Sequence, residues 1–208
     1  MYPSSILTDC IREDGEYRHL LREILEAGKR EADPLPLLVS GLSEGATDAL
    51  TVSLIEDILK ESEGLPRLGK TALFIYPEEK SCVRMQGVLE SFGIRAAFFS
   101  GRDLTFYHVT ASHEYEHERI RVLFGLINKD YDVVLSTPDA LLGYTIPPDR
   151  LLDATLHVDF DTRIDIGDLT RRLTEAGYIR VEMVDGTGQF AVREIGRASC
   201  RERVCLSV

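Results

Sequence analysis

The chain has 208 residues, 44% hydrophobic and 28% charged, with a formal net charge of −11, which is room for one or two domains with a sizeable core. No apolar run approaches the roughly 18 residues that a membrane span needs, and Met1 to Asp14 lacks the basic start and apolar core of a secretory signal, so a cytoplasmic protein is expected. The acidic balance argues against a surface that grips duplex nucleic acid through clustered Lys and Arg, and Cys10, Cys82, Cys200 and Cys205 lack the spacing of a zinc site or disulfide framework.

Taken from the N-terminus, Tyr17 to Arg30 sets Leu20, Leu21, Ile24 and Leu25 at helical spacing, with Gly28 near the end and Pro34 beyond it. Leu37 to Ser40 reads as a first strand, and Thr47 to Ser62 as a helix with a stripe of Leu50, Leu54, Ile55, Ile58 and Leu59. After a linking loop from Gly64 to Lys70, Thr71 to Tyr76 reads as a strand buried on both faces, as in a parallel sheet covered by helices. Glu78 to Phe92 carries Cys82, Met85, Val88, Leu89 and Phe92 on one helical face; Gly93 supplies the stop, and Ile94 to Phe99 is a third strand.

Gly101 to Ala111 is irregular and aromatic. Ser112 suits the N-cap of an acidic helix running to about Asn128, with Ile120, Leu123, Phe124 and Ile127 inward. Asp132 to Thr137 is a fourth strand, Pro138 opens a short helix through Leu142, and Pro147 and Pro148 open another short turn. This alternation predicts an α/β fold.

Near Ala154 the pattern changes. Leu156, Val158 and Phe160 alternate with polar residues as in a half-exposed strand, and Asp168 to Ala176 makes a short helix. Tyr178 to Val184 and Gln189 to Arg193 then read as strands about a hairpin turn at Asp185 to Gly188. A domain boundary is expected at about residue 155.

The stretch from Leu37 to Leu50 has the shape of a phosphate-binding loop: apolar strand, glycine turn, amphipathic helix. Set against GxxxxGKS/T, only Gly41 matches. Ala46 stands at the second glycine, Thr47 at the lysine and Asp48 at the magnesium-binding hydroxyl, while Gly45 lies one position early. The missing lysine removes a charge-assisted contact worth roughly 1.5 to 3 kcal/mol, and Glu44 adds repulsion toward phosphate on the order of 1 to 4 kcal/mol. The loop therefore reads as a degenerate nucleotide site that holds no cofactor.

A zinc- or nucleotide-dependent enzyme is the alternative. His113-Glu114-Tyr115-Glu116-His117 matches HExxH on an expected helix, with His157 the only later histidine able to complete a ligand set. Carboxylates in the first turns of a helix also simply favour its dipole. Gly186 to Ala191 matches GxGxxA, but Phe190 to Arg193 reads as strand where a dinucleotide fold needs a helix.

Five segments carry a family resemblance: Leu38 to Ser43, Gly101 to Tyr107, His117 to Arg121, Ser136 to Leu142 and Gly188 to Arg193. In their order and spacing they resemble the N-terminus of bacterial transcription-repair coupling factor, over about Leu20 to Arg193. The resemblance implies a helicase-like, P-loop-type parallel sheet with a degenerate nucleotide loop (residues 1–154), then part of a small α+β domain that binds excinuclease component A (residues 155–193). It implies no catalytic residue, metal or cofactor in this stretch; the family's ATP-driven motor, and its contacts to RNA polymerase and DNA, lie downstream. Excinuclease component B is a weaker match, because it keeps an intact phosphate loop and a long tyrosine-rich hairpin near Leu104 to Ser112.

The resemblance makes Arg193 the residue expected to contact excinuclease component A, a role that suits the planar guanidinium fork; a solvated strand-end arginine is the plainer reading. Arg163, Arg171, Arg172 and Arg180 could extend a basic patch or be solvated. Residues 194–208 depart from the family pattern and resemble translated sequencing-adapter sequence, so they are expected to be a non-native tail.

Overall fold

The computed structural model describes residues 6–29, 36–61, 71–101, 114–156, 165–186, 188–193 and 197–200. The chain divides into two compact units, residues 1–98 with 131–136 and residues 99–130 with 137–208. The boundary expected at residue 155 falls inside the second unit.

In the first unit, α1 (Ile6–Glu13) and α2 (Gly15–Ala27) pack on α3 (Glu44–Glu61). Asp14 sits between α1 and α2 and caps the second helix, its carboxylate accepting from the N–H groups of Glu16 at 2.8 Å and Tyr17 at 3.1 Å. A three-stranded sheet follows from β1 (Ala72–Ile75), β2 (Ala96–Phe99) and β3 (Val133–Ser136), in the order β1-β3-β2. The β1 and β3 strands run parallel, with Ala72 opposite Val133 and Ile75 opposite Ser136. Between β1 and β2 lies α4 (Glu79–Ser91), which stops where Gly93 takes φ +74° and the Ile94 N–H returns to the Leu89 carbonyl at 3.0 Å.

The core of this unit lies on one face of the sheet. Ala72, Phe74, Ala96, Phe98, Val133 and Leu135 alternate onto that face, where Val52 and Ile55 of α3 meet Cys82, Met85 and Leu89 of α4. Burying each large side chain is worth roughly 1.5 to 3 kcal/mol. The central strand β3 is buried at every position, but β1 is not: Leu73 is 54% exposed and Ile75 is exposed beside it. The expectation of burial on both faces for Thr71 to Tyr76 therefore fails: Ala72 and Phe74 pack on the core, while Leu73 and Ile75 on the opposite face are exposed.

The second unit holds α5 (Glu114–Ile127), α6 (Pro138–Leu142), α7 (Pro148–Asp153), α8 (Ile166–Glu175), β4 (Ile179–Arg180), β5 (Gln189–Arg193) and β6 (Arg197–Cys200). Proline opens both α6 and α7, as its fixed φ allows. Asp165 caps α8 by accepting from the Asp168 N–H at 3.1 Å. Beneath α8, Leu173, Tyr178 and Phe190 form a small core with half-buried Leu156, Leu169 and Val192 around it.

The second sheet has the order β4-β5-β6. Its β4 and β5 strands are parallel, not a hairpin, with Ile179 opposite Gln189 and Arg180 opposite Phe190. The stretch from Val181 to Gly188 thus carries the chain back instead of reversing it. Arg197–Cys200, part of the stretch read as a non-native tail, runs antiparallel to β5. The architecture is α/β, with a small parallel sheet flanked by helices. Among the described residues no helix is long and apolar enough to cross a membrane.

The linking loop at 64–70, the aromatic segment 102–111, the Ser112 cap, Val158 and Phe160 of the expected half-exposed strand, and His113, His157 and Arg163 lie outside the described residues.

Candidate functional site

The Gly41 turn is built differently from the expectation of strand, loop and helix. Among the described residues Pro36 to Ser40 has no strand partner, and its apolar side chains are exposed, Leu38 at 91%. Gly41 takes φ +80°, a left-handed conformation that glycine adopts without strain. The helix begins at Glu44, three residues before the expected start at Thr47, because Ser43 caps it. The Ser43 hydroxyl accepts from the Ala46 N–H at 3.4 Å, and its carbonyl accepts from both the N–H and the hydroxyl of Thr47 at 2.9 and 3.0 Å. Thr47, at the lysine position, is thereby turned onto its own helix.

Asp48, at the magnesium-ligand position, is paired with Arg84 of α4. Both guanidinium Nη atoms donate to the carboxylate, Nη2 to Oδ1 at 3.0 Å and Nη1 to Oδ2 more closely. This fork-to-fork pair leaves neither group disposed to hold a phosphate or a magnesium ion. Half-buried Tyr76 titrates above the ordinary phenol range, first because it is desolvated and then because the Asp48 charge is near. Sequence reasoning missed Arg84, which lies in a separate helix 36 residues further on and carries no local signal.

The partner-contact candidate, Arg193, is the last residue of β5, the middle strand of the second sheet, opposite Arg197 in register. The turn before this strand is closed by Gln189, whose side-chain carbonyl accepts from the N–H groups of Asp185 at 3.2 Å and Gly186 at 3.3 Å. Since β5 is a strand, the GxGxxA match has no helix on which to seat a pyrophosphate. The α8 arginines are engaged along their own helix. Arg171 bonds to Asp168 and Glu175, and Arg172 pairs with Asp168 at 3.2 Å. They share acids instead of forming a basic patch, while Arg180 is exposed on β4.

Of the HExxH match, His117 is described. Its ring meets Tyr178 edge-on at 6.2 Å between centroids and 76° between planes, and its Nε2 lies 3.0 Å from where a Cβ on Gly188 would stand. These are packing contacts. No group of three His, Cys, Asp or Glu side chains placed to hold a metal ion occurs among the described residues.

No protein-family model matches the chain, and no curated protein matches it.

Proposed function

We propose that this chain is the N-terminal, non-catalytic module of a transcription-repair coupling factor, a helicase-like α/β scaffold whose small second domain binds excinuclease component A. In that role it links removal of stalled RNA polymerase to nucleotide excision repair, with polymerase and DNA engaged by other parts of the whole protein. The reading rests on the order and spacing of the five resembling segments. The single structural observation that carries its non-catalytic half is the Asp48–Arg84 pair at the start of α3. A working phosphate loop needs a cation and a metal-ligand hydroxyl at those positions; here Thr47 is folded onto the helix and a carboxylate is tied to a guanidinium.

The test is calorimetry of the 208-residue chain with two titrants. Excinuclease component A is expected to give saturable binding, and magnesium-ATP at millimolar concentration none. Saturation by ATP would restore the enzyme reading, and silence with the excinuclease component would remove the partner assignment.

A further inference from the structure

We propose that the groove between α5 and the α6–α7 connection seats a lysine or arginine side chain from a basic segment of a partner protein. Arg193, the residue assigned to excinuclease component A, does not line this groove. The groove has a volume of about 450 Å3 and is lined among others by Tyr115, Glu116 and Leu123 of α5, and by Asp139, Tyr144 and Ile146.

Its one lining cation, Arg119, is already committed. Its Nη1 donates to the Ser100 carbonyl at 2.5 Å and its Nη2 to the Ala140 carbonyl at 3.3 Å, while the guanidinium lies 3.9 Å over the Phe99 ring. An anionic ligand would have to break those bonds to reach it. The two carboxylates instead define the character of the groove. Asp139 is exposed and has no hydrogen bond or ion pair among the described residues.

The aromatic component favours the same occupant. Tyr115 is anchored through its hydroxyl, which donates to the Ser100 carbonyl at 3.2 Å, and its ring already faces Arg119 at 5.8 Å, so the open ring is that of Tyr144, fully exposed at 106%. The negative faces of such rings attract ammonium and guanidinium groups. Leu123 and Ile146, which line the groove, offer apolar surface for the aliphatic stem of a long basic side chain. Two carboxylates, the open Tyr144 ring and the apolar Leu123 and Ile146, on a chain of net charge −11, are complementary to a cationic, long-stemmed residue.

Amide chemical shifts of the isotope-labelled chain, followed while a blocked glycine pentapeptide with a central arginine is added, test this. The same peptide with a central glutamate is the control. The expected result is saturable shifts at Tyr115, Asp139 and Tyr144 with the arginine peptide alone, and about tenfold or weaker affinity in both Asp139→Asn and Tyr144→Ala. Both side chains are exposed, so the variant spectra should otherwise superpose on the parent. An absence of saturation, an equal response to the glutamate peptide, or unchanged affinity in both variants would overturn the proposal.

Discussion

At Arg12 one guanidinium answers two carboxylates. Its Nε donates to both oxygens of Asp57 at 3.2 and 3.1 Å, its Nη2 pairs closely with Glu56, and the Tyr17 hydroxyl donates to Asp57 at 2.6 Å. Glu56 is only 7% exposed, so removing the arginine strands a buried charge. Arg12→Ala is expected to cost about 3 to 5 kcal/mol in urea unfolding, the usual loss for breaking a buried pair from one side. Tyr17 has its pKa raised, by burial first and then by the Asp57 bond, so the unfolded chain releases this proton before the folded one does. Its contribution is therefore complete below the unfolded phenol value of about 10 and fades as pH rises through the folded value; Tyr17→Phe should flatten that alkaline loss. Asp132 behaves oppositely. Burial alone would raise its carboxyl, but the Arg95 side-chain and backbone bonds, with the Arg95 charge, bring it below the ordinary range. Its stabilisation is present above that range and is lost as pH falls through the folded value. The Ser53 hydroxyl is fully buried with no hydrogen-bond partner among the described residues. Ser53→Ala should be neutral or stabilise by about 1 kcal/mol, because a buried unsatisfied hydroxyl is relieved.

Elements are legible where one physical signal fixes them. Apolar spacing and Gly93 mark α4, and Pro138 marks α6. Where several signals compete, the sequence misleads. Leu37 to Ser40 has strand composition, but composition supplies no neighbour to bond with, and the segment pairs with no strand among the described residues. Helix α1 carries no clear inward stripe, because Ile6 and Leu7 face outward and Arg12 ties it to α3 through charge. The parallel course of β4 and β5 is hidden by a Gly-rich turn that resembles a hairpin signal. Within the site, the departure from a phosphate-loop sequence can be read from Ala46, Thr47 and Asp48, yet the partner that occupies Asp48 comes from another helix. Gly188 shows how such an element can be tested. At φ +71°, with His117 pressing on its Cβ position, Gly188→Ala should lose about 1 to 2 kcal/mol from backbone strain alone. Combining it with His117→Ala should recover only the clash, as thermal unfolding of the double variant would show.

At the scale of the whole molecule, two compact units divide the proposed work. The first keeps an α/β core and a left-handed Gly41 turn ahead of α3, whose Asp48 is tied to Arg84. The second centres its sheet on β5, the strand that ends at Arg193. On the proposed reading the chain acts by presenting a surface, and its activity is expected as affinity and not as turnover. The most direct measurement is a calorimetric titration of the chain with excinuclease component A, for the parent and for Arg193→Ala. Saturable binding by the parent is expected, weakened about tenfold or more by the substitution, as befits an interfacial arginine. A parent chain that shows no binding, while its spectrum confirms it is folded, would contradict the assignment as a binding module.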